Sequence, residues 1–349
     1  MMLDKKKVVV GLSGGVDSSV TAYLLKKQGF EVIGMTMRQF KEETFSDDAR
    51  RVAEALSIES RIIDMSDLFE NKICKSFIEK YENAKTPNPC TMCNPLIKWV
   101  ALTTLADEVG AYYVATGHYA NIDLINGRYA IKNAKTATKD QTYALCNLSQ
   151  EQLARTLMPL GEYEKSQVRE IAREAGIPVA DKADSQDICF IPDGDYAGFI
   201  ERYTGKKPKK GLFVDKNGNK LGEHQGIINY TIGQRKGLNL SLGHPVFVTK
   251  IDSEKNQVVI GENEDLFTTE CFVNSVKLMS GSEDELPKRL LGKVRYAHKG
   301  TMCTLEKVAD DLYKVSFEEP VRAITYGQTA VFYDGDYVFA GAEICEGNK

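Results

Sequence analysis

Lys7-Val8-Val9-Val10-Gly11-Leu12-Ser13-Gly14-Gly15-Val16-Asp17-Ser18-Ser19 decides the reading of this chain. The short β-branched run predicts a buried parallel strand, and a helix is expected to follow from Asp17 to Gln28 with Gly29 as its stop. Between them lie small residues whose backbone N–H groups can curl around an anion, with the helix N-terminus adding a favourable field. No Gly-Lys-Ser/Thr ends the loop, so it is not a Walker A sequence, and no G-x-G-x-x-G is present to mark a dinucleotide fold. Further strands are expected at Glu31–Thr36, Arg61–Ile63 and Tyr112–Thr116. Ser46 is expected to cap a helix through Ala49, Val52, Ala53 and Leu56, Asn94-Pro95 to open another that ends at Gly110, and Ser149 to Gln152 to form a capping box. A further helix through Val168, Ile171, Ala172 and Ala175 ends at Gly176. Strand–helix alternation of this kind implies a parallel sheet covered on both faces.

The pattern changes near residue 200. Lys206-Lys207-Pro208-Lys209-Lys210-Gly211 is basic and rich in breakers, and an Asn217-Gly218 hairpin signal follows. From Phe272 onward short strands recur (Gly292–Tyr296, Thr301–Leu305, Leu312–Phe317, Thr329–Tyr333), the spacing of a small β-barrel. The expected division is an α/β parallel-sheet domain over residues 1–203, a small β-rich domain over 204–269 and a C-terminal β-barrel over 270–349.

Composition fits this plan. The 349 residues are 42% hydrophobic and 27% charged, ordinary globular values that predict two or three domains rather than disorder. No apolar run approaches the ~18 residues needed to span a bilayer. The charged start Met1–Lys7 and the early Gly11 do not make a signal peptide, so a cytoplasmic protein without membrane contact is expected. The formal net charge is −4, yet residues 201–240 carry nine Lys/Arg against three acids. A basic block in an otherwise acidic chain suggests one face for a polyanion, although a solvated loop has the same composition.

Eight cysteines in a chain large enough to bury a core are read as thiols rather than as disulfide staples. Thr86-Pro87-Asn88-Pro89-Cys90-Thr91-Met92-Cys93-Asn94 places Cys93 just before the expected helix start, where a thiol has a lowered pKa. Spacing alone leaves redox pair, metal ligands and nucleophile open, and no second C-x-x-C completes a zinc site. Cys189, flanked by Ile188 and Phe190, reads by itself as a buried core thiol.

Ser-Gly-Gly-x-Asp-Ser directly after the first strand resembles the pyrophosphate (PP) loop of N-type ATP pyrophosphatases, which adenylate an oxygen and release pyrophosphate. The ordered set of that loop, Thr86–Asn94, Ala115-Thr116-Gly117-His118-Tyr119, Lys139-Asp140-Gln141, Asp184-Ser185-Gln186-Asp187-Ile188-Cys189-Phe190 and Gly233–Leu238 resembles the bacterial tRNA-specific 2-thiouridylases, sulfurtransferases of the wobble uridine. The likeness runs over essentially the whole chain and implies a PP-loop (adenine nucleotide alpha hydrolase-like) domain, a central domain and a β-barrel.

The resemblance implies ATP at Gly11, Leu12, Ser13, Gly14, Gly15, Val16, Asp17, Ser18, Met37 and Gly117. It makes Cys93 the nucleophile and Cys189 the persulfide carrier, closing to a Cys93–Cys189 disulfide after sulfur transfer, with Asp17 catalytic and a candidate Mg²⁺ ligand. Asn88, Pro89 and Cys90 would lie against the target base, and His118, Lys139, Asp140, Gln141, Arg295, Tyr296 and Gln328 against tRNA. Some family members carry Asp at the position of Cys90. A sulfur donor, a cysteine desulfurase or relay protein, is the implied partner besides tRNA. Three other readings compete with this one. Cys90, Cys93 and Cys189 could instead hold an iron–sulfur cluster, the chain could be a non-catalytic ATP-dependent tRNA-binding module, or the loop could serve amide-forming adenylation, as in argininosuccinate or NAD synthetases.

Overall fold

The structure, a computed structural model, describes residues 3–41, 47–183 and 188–347. Ser46 and Asp184-Ser185-Gln186-Asp187 lie outside the described residues. Strands β1 (Asp4–Gly11), β2 (Glu31–Arg38), β3 (Glu59–Asp64) and β4 (Ala111–Ala115) join a short β7 (Thr156–Leu157) in a parallel sheet of order β3-β2-β1-β4-β7. Alternation along β1 divides the core. Val8 and Val10 face a layer with Val20, Leu25 and Val168, while Val9 faces Leu102, Leu105 and Ile97. All three valines are fully buried, as a central strand covered by helices on both faces requires. The strand order reverses between β1 and β4, and crevices at such a switch point are where α/β sheets bind ligands.

The expected helix start at Asn94-Pro95 is corrected by the structure. Helix begins at Pro89, with Asn88 in extended conformation before it, and runs unbroken from Pro89–Cys93 through a π-helical turn Asn94–Lys98 into Trp99–Glu108. Pro95 therefore sits inside a helix, where its missing N–H leaves the Thr91 carbonyl without its usual partner. Asn147 supplies one, its side-chain amide donating to Thr91 O at 3.2 Å, and Gln152 Nε2 donates to Pro95 O at 2.8 Å. A second π-helical turn, Glu70–Cys74, interrupts the helical stretch between Ser66–Phe69 and Lys75–Glu82. The Ser149 capping box forms as expected.

A hairpin that sequence reading did not separate, β5 (Asn121–Ile125) and β6 (Arg128–Lys132), leaves the first domain and joins the C-terminal sheet through Lys132 and Tyr337. The central sheet has order β10-β11-β8-β9, made of β8 (Gly211–Val214), β9 (Lys220–His224), β10 (Phe247–Asp252) and β11 (Gln257–Gly261) around Phe213, Val248 and Val258. The last six strands are β12 (Phe267–Leu278), β13 (Lys288–Lys293), β14 (Thr301–Ala309), β15 (Leu312–Arg322), β16 (Thr329–Asp334) and β17 (Tyr337–Cys345). They run β12-β15-β14-β13-β16-β17, and pairing of β12 with β17 closes them into an antiparallel barrel. The strand expected at Gly292–Tyr296 lies earlier, at Lys288–Lys293.

The barrel seats the cysteine loop. Thr86 N donates to Tyr326 O at 2.8 Å, Gln328 Nε2 to Thr86 O at 3.1 Å, and the Thr91 and Thr329 hydroxyls meet in the buried contact at 2.8 Å. Replacing Asn147 by Ala is expected to strand the Thr91 carbonyl and lower unfolding free energy by about 1–3 kcal/mol. Urea titration reads this, and an unchanged midpoint would show that Asn147 does not support the proline-containing helix.

Candidate active site

The loop after β1 turns at Gly14, whose φ of +70° favours glycine, and enters helix Val16–Lys27. Its polar atoms fold inward. Ser13 N donates to Ser18 Oγ at 3.2 Å, the two serine hydroxyls stand 3.2 Å apart, and Ser18 and Ser19 hydroxyls donate to Gly15 O at 3.1 and 2.8 Å. The N–H groups of Gly14, Gly15, Val16, Asp17 and Ser18 make no hydrogen bond among the described residues. Five free N–H groups around one turn form an anion cradle. Leu12 and Val16 are buried, so only their backbone can serve it. Met37 stands on β2 beside the same sheet end, and Gly117 follows β4. A Cβ on Gly117 would come within 2.7 Å of the Asp17 carbonyl carbon and Ser18 N, so only glycine lets that segment approach the loop.

Asp17 is engaged. Lys165 Nζ contacts its two oxygens at 2.7 and 2.8 Å, and Tyr119 OH donates to Oδ1 at 2.8 Å. The carboxylate is thereby neutralised within the protein, and no three metal-ligating side chains cluster among the described residues. The protein itself places positive charge beside the loop. Lys165 sits on Asp17, and Lys182 Nζ contacts Gly14 O at 3.1 Å and Asp48 at 2.7 Å. Neither lysine was legible as a site residue, because each lies about 150 positions or more from the loop it serves.

The thiols occupy a second area. Cys90 and Cys93 lie in the first turns of the helix that begins at Pro89, and Cys93 is buried. Burial pushes the Cys93 thiol up to about 12 and raises Cys90 as well, with the Lys98 ammonium pulling both the other way. The lowered pKa expected of a helix-start thiol is thus overturned, because Cys93 lies one turn inside the helix and away from water. Cys189 is exposed, contrary to its reading as a core thiol. Its neighbour Phe190 does the packing, edge-on to Phe69 and Phe77, while Gln39 Nε2 donates to Cys189 Sγ at 3.4 Å. Cys189 lies within electrostatic range of Cys74, Cys90 and Cys93. All four thiols are free, so the anticipated Cys93–Cys189 bond is not formed here. Cys90, Cys93 and Cys189 do not converge as a ligand set for a cluster.

His118 joins the two areas. It follows Gly117, stacks on Trp99 at 5.9 Å and hydrogen-bonds Thr116 Oγ1 at 2.8 Å, and desolvation, with the Lys98 charge, lowers its pKa. Other residues expected against tRNA are tied into the protein. Asp140 accepts from Ala134 N and Thr142 N, Gln141 Oε1 from Tyr119 N, Arg295 donates to Arg322 O and Ala323 O, and Gln328 holds Thr86. Lys139 is half-buried beside them. Tyr296 is 54% exposed, its hydroxyl donating to Asp140 O at 3.1 Å and its ring set T-shaped against Tyr143 at 5.9 Å.

Residues 6–193 match the tRNA methyl transferase HUP domain, 197–262 the PRC-barrel domain and 268–344 the aminomethyltransferase beta-barrel domain. A tRNA-specific 2-thiouridylase of Lachnoclostridium phytofermentans is 51% identical over 97% of this chain and 99% of its own. That of Clostridium acetobutylicum is 49% identical over the same shares. The chain belongs to the tRNA-specific 2-thiouridylase family. Full-length likeness at this level includes the nucleotide cradle, the thiol area and the barrel together. A 4-thiouridine synthetase–RNA complex with bound ATP superposes at a TM-score of 0.36 and 19% identity, over 53% of this chain and 45% of its own.

Replacing Gly117 by Ala is expected to force that segment off the Asp17–Ser18 backbone and weaken ATP binding at least about tenfold, roughly 1.4 kcal/mol. Calorimetric titration with ATP checks this, circular dichroism confirms folding, and unchanged affinity would place the nucleotide elsewhere.

Proposed function

We propose that this chain is a tRNA-uridine 2-sulfurtransferase that adenylates the C2 oxygen of the wobble uridine and replaces it with sulfur from a Cys189 persulfide. The observation that carries this reading is the pairing, in a full-length member of the family, of a free-N–H cradle with a neighbouring group of free thiols. Uridine O2 is a poor leaving group, and attack on the ATP α-phosphorus makes it AMP while pyrophosphate departs. The loop N–H groups, Lys165 and Lys182 stabilise the charge on the phosphates. The terminal persulfide sulfur attacks C2, AMP leaves, and a C2–S–S–Cys189 linkage remains. The Cys93 thiolate attacks Cys189 Sγ. The linkage sulfur departs as the thiocarbonyl, and the two cysteines are left oxidised as a disulfide, which a cellular dithiol reduces.

In this reading Asn88, Pro89 and Cys90 face the unstacked base, and Tyr296 and the half-buried Lys139 and His118 border the anticodon. Lys206, Lys207, Lys209 and Lys210 are exposed and form no ion pair among the described residues, which supports a role on tRNA phosphates. No helix among the described residues is long and apolar enough to cross a membrane, consistent with work in the cytoplasm, supplied with sulfur by a desulfurase or relay protein.

Incubation of the protein with ATP, Mg²⁺, tRNA and a cysteine desulfurase is expected to yield 2-thiouridine by nucleoside mass spectrometry. Cys93→Ala and Cys189→Ala should abolish it, and Cys90→Ala should retain most of it in metal-free protein. Product formed only after iron loading would instead make the three cysteines cluster ligands. Replacing the four lysines by Gln should flatten the dependence of log affinity on log salt by about 0.7–0.9 for each phosphate that the lysines no longer neutralise. An unchanged slope would assign the segment to a solvated linker.

A further inference from the structure

Lys98 belongs to none of the motifs above, yet its surroundings are unusual. It is half-buried, and half-buried lysines such as Lys7, Lys80, Lys165 and Lys288 each hold a carboxylate. Among the described residues the Lys98 ammonium has no ion pair, side-chain hydrogen bond or aromatic partner. A half-desolvated ammonium without a counter-charge is costly, so a site retains one where an anion arrives during function.

The helix geometry aims it. Lys98 closes the π-helical turn Asn94–Lys98, for which Cys93 is the preceding residue. In an α-helix two residues five apart point about 140° away from each other at 3.6 residues per turn. A π-turn, bonded i to i+5, brings them toward one face. The charge of Lys98 accordingly acts on Cys93, on Cys90 and on His118, three groups that border the thiol area from two elements. The other titratable groups that act on Cys93 are Cys90 on its own helix, Cys189 and, from the second π-turn, Cys74.

We infer that Lys98 is the positioning residue for the resolving step, its ammonium stabilising the Cys93 thiolate as it attacks Cys189. This rests on the sulfur-transfer reading above and adds a residue to it. The chemistry is the same disulfide-forming displacement at Cys189 Sγ, and Lys98 contributes charge to it without gaining or losing a proton. The buried Cys93 thiol is held up by desolvation, so a fixed cation beside it has leverage that it would lack in water. Arg at this position keeps the charge, whereas Met keeps most of the volume without it.

The test is the pH profile of Cys93 alkylation by iodoacetamide in the full-length protein, read by peptide mass spectrometry from pH 6 to 10.5. Lys98→Met is expected to slow labelling about tenfold at pH 8 and move the profile upward by about one unit, and Lys98→Arg to restore it. This readout needs no turnover, so it stands even if 2-thiouridine formation fails. A second measurement covers a thiol too shielded to label. Single-turnover thiolation by Cys189-persulfidated protein should show the same upward shift in Lys98→Met, with AMP release unaffected. A profile unchanged by Lys98→Met, a loss that Lys98→Arg does not restore, or a defect confined to AMP release would overturn the inference.

Discussion

Five backbone N–H groups without partners, at the end of a central strand whose three valines are fully buried, are the constraint around which the molecule is arranged. Unpaired donors are costly, and these are tolerated because the turn opens at the carboxyl end of the sheet, where an anion can supply the missing acceptors. Everything near them keeps that opening clear. Ser13, Ser18 and Ser19 turn their hydroxyls into the loop, Gly117 withholds a side chain, and Lys165 draws the Asp17 carboxylate aside. An Asp free to swing into the cradle would present negative charge to a phosphate.

The thiol area obeys a different rule. Its segment cannot be fixed by the parallel sheet alone, because Thr86 to Cys93 leaves the first domain and reaches the barrel. Hydrogen bonds from Thr86 to Tyr326, from Gln328 to Thr86 and between Thr91 and Thr329 hold it, with the Lys80–Glu343 ion pair beside them. The C-terminal barrel is thus part of the site's framework. The β5–β6 hairpin strengthens the same union, with Arg128 donating to Leu278 O and Met279 O at 3.0 Å each.

The parallel sheet was legible because Val8–Val10, Val32–Ile33 and Val114–Ala115 are short apolar runs bounded by glycine or polar residues, and the structure uses them that way. The barrel was legible from alternation, apart from a displaced β13 and an unread β17. The cysteine helix was misread at its start because Pro95 is ordinarily a boundary. What overrides that rule is Asn147, more than 50 residues away, filling the vacated carbonyl. The same distance effect hid Lys165 and Lys182. Asp140, Gln141, Arg295 and Gln328 likewise bond backbone far along the chain or in neighbouring loops, partners that a linear motif does not display.

The π-turns have a consequence for how this site tolerates change. Each is one extra residue wound into an α-helix, so the positions before and after it are out of phase by about 100° with an uninterrupted helix. Substituting residues within Asn94–Lys98 alters composition but leaves that phase intact. Removing a single residue there would preserve every side chain of the motif while rotating Trp99, the hydrogen bond it makes to Thr156 and the stacked His118 out of alignment with Cys90 and Cys93. The cysteine motif and the helix that follows it are therefore one unit of length, and the count of residues between them is as much a determinant of the chemistry as the cysteines themselves.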